Sequence, residues 1–390
     1  MAGKQHVLRV TAGGLLVGAS VMLFISPSGA QQSIGAPKEI REKPVEQVFK
    51  NIKVLTGMPQ SQFFPAMVFI ATSMGKQCEF CHVSRNGRLD FSADDKPEKQ
   101  TARGMITMVQ EINKRYRQGN SQVSCYTCHR GSASPRVFPT LPLPMPAPQS
   151  QIDVSASTII NPSSQGLANT NQDLPTVETV LNKFSEAIGD KSRSIKIESA
   201  AFRGTSETWT GKPTAYETVQ VLPDKGYESY VTESGTSERI LNGSRGWLSN
   251  VDGIQDLVGQ QLLDQRLSFP LFMILDLKDQ YASLRVSGRE TFDGREMYIV
   301  SATRRDDKRE RLYFEAESGL LRRRISYMIT MIGTIPQQAD FEDYRIVSGL
   351  KLPYKITVSN TDARSPIIVR KFMEIELNVP VAESRFNNPQ

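Results

Sequence analysis

Cys78-Glu79-Phe80-Cys81-His82 and Cys125-Tyr126-Thr127-Cys128-His129 contain all four cysteines of the chain and, apart from His6, every histidine. C-x-x-C-H is the attachment signature of c-type haem. The spacing suits the chemistry: two thiols bond to one porphyrin edge, and the adjacent imidazole reaches the iron from the same side. Two exported disulfides would explain the cysteine pairs but not a histidine after each. A four-thiolate zinc site would leave both histidines idle. A thioredoxin-like redox pair needs one CxxC beside a βαβ unit, not two after helical stretches. The pattern therefore predicts two covalently bound haem c groups, with Cys78, Cys81, Cys125 and Cys128 as thioether donors. His82 and His129 are the proximal iron ligands.

With both histidines spent, the opposite face of each iron is left to methionine or stays open, and methionine raises the reduction potential. Phe63 to Gly75 reads as a helix ended by glycine, with Met67, Ile70, Ala71 and Met74 on one face. Met67 is the preferred distal candidate. Its rival Met74 sits four residues before Cys78, which leaves little chain to pass round the porphyrin edge; Met58 is a third candidate. Asp95, Pro97 and Glu98 make a capping-box-like start to a second helix running to about Arg117. Its apolar face reads as Met105, Met108, Val109 and Ile112, with Met108 the preferred ligand and Met105 the alternative. Methionine on such a stripe is ordinarily core filler; two irons needing partners change that weighting.

The N-terminus reads as an export signal. Lys4 and Arg9 precede an uncharged stretch from Val10 to Ile25, and Ser28-Gly29-Ala30 supplies a small-residue cleavage site. The stretch is shorter than the ~20 apolar residues of a spanning helix and is diluted by Thr11, Gly13, Gly14, Gly18 and Ser20. Cleavage is favoured over a retained anchor, and no cysteine near Ala30 offers a lipid-modified terminus. The mature chain then starts near Gln31, in the periplasm or cell envelope.

Composition fits this picture: 390 residues, 39% hydrophobic and 23% charged, with a formal charge of +6 that falls to +4 once Lys4 and Arg9 are removed. This is ordinary globular composition in about two to three domains, and no block of like charge suggests nucleic acid. From Pro135 to Pro148 there are six prolines in fourteen residues, and Asp153 is the one charge between Val137 and Gln172. Such a stretch favours extended, unpacked chain. The organisation predicted is signal peptide 1–30, dihaem domain 31–135, linker 136–173 and a second domain 174–390.

In that second domain Leu174 to Ile188 reads as an amphipathic helix carrying Val177, Val180, Leu181, Phe184 and Ile188. From Ile195 the period switches to two. Strand-like runs cover 216–221, 227–233, 298–304, 311–315, 322–328, 355–358 and 367–377, and only Ile254 to Tyr281 looks helical again. Asn242-Gly243, Asp252-Gly253, Asp293-Gly294 and Ser318-Gly319 punctuate them as turns. The fold class is thus multidomain α+β: a small, mainly helical cytochrome domain, then an antiparallel curved sheet or incomplete barrel with helical plugs. The second domain holds no histidine or cysteine, so nucleophile–base pairs built on them are absent. Arg304-Arg305 and Arg322-Arg323-Arg324 read as a solvated strand face rather than an acidic-partner dock, and Trp247 as core or cavity lining.

Residues from about Val48 to Pro135 resemble the cytochrome c subunit of photosynthetic reaction centres. The shared features are Ala66-Met67-Val68-Phe69 ahead of the first motif, Arg103-Gly104-Met105-Ile106-Thr107-Met108-Val109 with Ile112-Asn113, and Cys125-Tyr126-Thr127-Cys128-His129-Arg130-Gly131. The resemblance implies one haem per helix–turn–CxxCH unit, with a helix methionine as sixth ligand, which supports Met67 and Met108. That family usually carries four such motifs and a lipidated N-terminal cysteine; this chain resembles shortened two-haem versions. The second domain resembles the periplasmic lipoprotein-carrier fold, through its opening helix ending Ala187-Ile188-Gly189, the stretch Tyr344 to Tyr354, and the terminal strand leading to Asn378-Val379-Pro380 and Phe386. A hydrophobic ligand in the β domain is implied by that likeness alone.

These features predict an exported dihaem electron carrier without catalytic residues, working with donor and acceptor proteins and with a membrane complex as a candidate partner. The alternatives are a haem enzyme or gas sensor with an open axial site, and an envelope lipid- or partner-binding protein with haem as redox regulator.

Overall fold

The computed structural model describes residues 43–116, 123–135, 174–189, 196–208, 211–232, 235–251, 253–275, 277–359 and 368–389. The expected signal peptide and linker lie outside them. Two short helices open the first lobe, α1 (Val45–Val48) and α2 (Gln60–Ser73). A small hairpin, β1 (Val83–Arg85) and β2 (Arg88–Asp90), leads to α3 (Pro97–Tyr116) and the single-turn α4 (Cys125–His129). Among the described residues no helix is long and apolar enough to cross a membrane.

The second lobe begins with α5 (Val177–Ala187), capped by the Thr176 hydroxyl, which accepts from the Thr179 N–H. Six strands then run as a meander: β3 (Ser199–Thr208), β4 (Pro213–Val221), β5 (Lys225–Thr232), β6 (Gly235–Asn242), β7 (Arg245–Asn250) and β8 (Gly253–Asp256). After α6 (Gln260–Ser268) and α7 (Pro270–Leu275), a second meander follows. Its strands are β9 (Tyr281–Phe292), β10 (Arg295–Arg304), β11 (Arg309–Glu315), β12 (Leu321–Thr330), β13 (Gly333–Val347), β14 (Leu350–Ser359) and β15 (Ile368–Leu377). All pair antiparallel in one sheet of thirteen strands ordered β8-β7-β6-β5-β4-β3-β15-β14-β13-β12-β11-β10-β9. The mixed α+β class with a large unclosed sheet is as the sequence predicts. The turn dipeptides at Asn242, Asp293 and Ser318 lie between the pairs β6/β7, β9/β10 and β11/β12, where expected. The Asp252-Gly253 turn begins outside the described residues.

The topology places the core. β8 and β9 are opposite edges, so the α6–α7 segment between them crosses one face of the sheet. There Leu271, Met273, Ile274 and Leu277 pack with Val180, Phe184 and Ile188 of the opening helix against Phe202, Val300, Leu312, Phe314 and Phe372. Trp247 belongs to the opposite face, buried beneath Phe386 with Ala201, Val219 and Ile240. It is core.

The arginine runs differ from the sequence reading. Arg304 is 3% exposed and pairs with Asp264 (2.7 Å), Asp306 (3.0 Å) and Glu310 (3.4 Å). Arg324 grips Glu310, Arg323 pairs with Asp340 and Arg322 with Glu315. Alternation in a strand cannot tell a solvated guanidinium from one turned under a covering helix, and α6 covers this part of the sheet.

Candidate haem-binding module

The first lobe is organised around its two cysteine turns. α2 ends in a Schellman arrangement: Lys76 N–H donates to Ala71 O (2.9 Å), Gly75 N–H to Thr72 O (3.0 Å), and Gly75 takes φ +63°. The chain then enters a 3₁₀ turn over Cys78–Phe80, closed by Cys81 N–H and His82 N–H, both donating to Cys78 O. Cys78, Cys81 and His82 are all half-buried. In the second motif the Ser124 N–H donates to the Thr127 hydroxyl (3.0 Å), capping α4 at its start. One helical turn sets Cys125 and Cys128 on one side, with His129 next along. Arg130 and Gly131, at φ 48° and 86°, end it.

The two motifs touch. Gly131 N–H donates to Ser73 O (2.8 Å), a carbonyl left over at the end of α2. A Cβ on Gly75 would overlap the Gly131 carbonyl oxygen. The chain leading into the first motif is therefore seated on the chain leaving the second.

The histidines suit iron. His129 Nδ1 lies 2.9 Å from Ser132 O, so Nδ1 carries the proton and Nε2 is left as the donor atom, as in an imidazole oriented by a backbone carbonyl to bind a metal. His82 Nδ1 is buried without a hydrogen-bond partner. Burial, reinforced by Lys99, Lys96 and Arg103, holds His82 below its ordinary pKa, which keeps the ring neutral. Phe91 meets that ring edge-on at 5.0 Å. The Phe91 loop is pinned by Lys99, whose ammonium donates to Phe91 O (2.9 Å) and Ala93 O (2.6 Å). Asp94 adds a hub with Lys53, Arg103 and Asn51; these hydrogen bonds, Arg103 first, hold its carboxyl well below the usual range.

All four cysteines are free, and no three His, Cys, Asp or Glu side chains converge among the described residues. Burial pushes the Cys125 thiol up to about 11, and Cys78 and Cys81 also lie above their ordinary value, again chiefly through burial. Phe91, against the His82 ring, and Tyr126, within the second motif, are large apolar side chains left exposed, as are Phe49, Met105 and Met108 elsewhere in the lobe. Thiol pairs, donor-ready imidazoles and apolar surround together fit haem c.

Met67 and Met74 are half-buried and pack on the lobe's core, while Met58 is fully buried in it. The α3 stripe is corrected: Ile106 and Val109 are buried, whereas Met105 and Met108 are 42% and 43% exposed. The rotation is set by the polar residues between them. Asn113 clamps Val123 by two hydrogen bonds, Nδ2 to Val123 O (2.8 Å) and Val123 N–H to Oδ1 (2.9 Å), and Gln110 reaches Met331. That face turns inward and sends both methionines outward. Sequence reasoning missed the Ser73–Gly131 joint, the Asn113 clamp and the Asp94 hub, since each joins residues of different elements with no local periodicity to reveal it.

Residues 27–210 match the family model for the photosynthetic reaction centre cytochrome C subunit. The photosynthetic reaction center cytochrome c subunit of Rubrivivax gelatinosus is 33% identical over 94 residues, 23% of this chain and 24% of that protein. Cytochrome c-554 of Chloroflexus aurantiacus is 33% identical over 89 residues, 21% of this chain and 20% of that one. The chain thus spans under a quarter of the length of these curated relatives. Among solved structures, a LolA superfamily protein from Nitrosomonas europaea covers 55% of this chain and 98% of its own at 13% identity, with a TM-score of 0.39.

Proposed function

We propose that this chain is an exported dihaem c-type cytochrome that passes single electrons between redox partners, and that it is not an enzyme. The observation that carries this reading is the pair of CxxCH turns in contact through Gly131 and Ser73, each with an imidazole suited to iron. Cys78 and Cys81 would hold one haem and Cys125 and Cys128 the other, with His82 and His129 as proximal ligands. Haem supplies the one-electron chemistry; the protein supplies ligation, burial and spacing. The His129–Ser132 bond fixes the tautomer and orients the ring, and the pinned Phe91 loop keeps water from His82. Met67 is the proposed distal ligand for the first haem. Met108, with Met105 one turn earlier, is proposed for the second, since both face outward from the folded lobe. The mature form would work in the periplasm or at the envelope membrane, its donor and acceptor being electron-transfer proteins or a membrane redox complex.

Intact-mass measurement of the purified exported protein is expected to show two added haems, falling to one in Cys78→Ser/Cys81→Ser. A far-red methionine–iron band should be present and weaken in Met67→Ala and again in Met108→Ala. A mass without haem sinks the proposal; a high-spin spectrum with ready carbon monoxide binding shifts the function to an open-site enzyme or gas sensor.

A further inference from the structure

The turn between β12 and β13 is built unlike an exposed hairpin turn. Its tip carries Met331 and Ile332, and Ile332 and Ile335 are fully buried. The other buried members of their cluster are Val45, Leu55, Met58, Ala66, Phe69, Ile70 and Ile106, all from the first lobe. The tip is rigid: the Thr330 hydroxyl donates to Gly333 O (2.8 Å) and accepts from Ile332 N–H (3.2 Å). It is held from both sides, by Gln62 Nε2 donating to Ile329 O (3.4 Å) from α2 and by Gln110 Nε2 contacting Met331 Sδ (3.1 Å) from α3. Gly333, at φ +106°, has no room for a side chain, because a Cβ there would meet Ser124 Cβ at 2.9 Å and Val123 O at 3.0 Å. Val123 and Ser124 are the two residues before Cys125, and Ser124 caps α4.

From this we infer that the β12–β13 hairpin is a positioning element of the second haem site: Ile332 and Gly333, supplied by the C-terminal sheet, set the placement of the Cys125–His129 turn. The inference rests on the haem reading proposed above. Ser124 and Val123 are gripped on one side by Asn113 of α3 and on the other by Gly333. A shift of the sheet is therefore passed to the second motif. The first motif's Cys78–Phe80 turn has its main contacts with the end of α2 and with β1.

The test is spectroelectrochemical titration of the whole protein, with haem content read first by intact mass. Gly333→Val should move the redox transition and absorption band of one haem and leave the other in place; Ile332→Val, which also loosens packing on Ala66, Phe69 and Ile70 of α2, should move that haem more than the other. Cys125→Ser/Cys128→Ser should remove the transition that moves. Gly294→Val is the control: it strains the β9–β10 turn at φ +72°, where a Cβ meets nothing within 4 Å, and should move neither. Two haems with transitions unmoved in both hairpin variants, or moved equally by Gly294→Val, overturns the inference alone. A wild-type mass without haem overturns the haem reading instead. If Gly333→Val fails to fold, Ile332→Val, one methylene smaller, decides.

Discussion

Replacing Glu310 by alanine costs the protein about 3–5 kcal/mol, the range for stripping one partner from a buried ion pair. Glu310 is 2% exposed on β11. Both its oxygens are engaged by Arg324 (2.7 and 2.6 Å), and the Tyr281 hydroxyl donates to it at 2.7 Å. Burial alone would raise its pKa, but Arg324, Tyr281 and Arg304 outweigh burial and hold it below the ordinary value. Arg304 retains Asp264 and Asp306 after the substitution; Arg324 loses both bonds to its carboxylate and keeps the 3.3 Å bond to Leu267 O. The penalty is thus mainly an unpaired guanidinium under α6. Denaturant titration should show the loss, and Glu310→Leu with Arg324→Met should recover most of it, since the charge and its partner leave together. Equal destabilisation by the single and double variants would refute this account.

The same logic gives an acid limit. Glu228, 1% exposed, is countered by Arg370 and Arg239 and sits at about 2 despite burial, below its usual 4.5. A depressed folded-state value means the unfolded chain binds the proton more tightly. The stabilisation is therefore complete above pH 4.5 and is lost as pH falls towards 2. Glu228→Gln should flatten the acid limb of a stability–pH profile over that interval.

Gly75→Ala is the second large effect, and it falls on the haem lobe. The left-handed conformation alone costs an L residue about 1–2 kcal/mol, and the new methyl also overlaps the Gly131 carbonyl. Relief requires the Ser73–Gly131 bond to break, which uncouples the two motifs. The expected result is a melting temperature lower by several degrees and a slower exchange of electrons between haems in rapid-mixing measurements. Gly57→Ala, also left-handed at φ +79° but facing open space, isolates the conformational cost. If the two variants behave alike, the joint has no role.

The parts of this molecule legible in sequence are those whose chemistry is local. CxxCH is fixed by one porphyrin edge and one helical turn, and the ends of α2 are written in its glycine. Strand alternation marked β4, β5, β10, β11, β12, β14 and β15, with turn dipeptides between several of them. β9 escaped because it opens directly after the helical segment on two exposed residues, Ala282 and Ser283, before its alternation over 283–289 begins, so Tyr281 read as the end of a helix. The strand-like run was read as ending at Met328, and the apolar Ile329, Met331 and Ile332 beyond it were passed over, although apolar residues at a hairpin tip are themselves a sign that something covers them. Charged residues were read by the prior that arginine is exposed, which fails wherever a carboxylate lies one strand away.

The order of strands carries a kinetic consequence. Of the twelve pairings in the sheet, eleven join strands adjacent in sequence, and only β3 with β15 unites distant segments. Two zippers can therefore close by short-range steps, leaving one search across the chain to be completed at Phe202 and Phe372, whose rings meet at 5.2 Å. Because such a late, non-local closure governs the pace of β assembly, a substitution at that aromatic pair should slow refolding far more than one of equal thermodynamic cost inside either zipper.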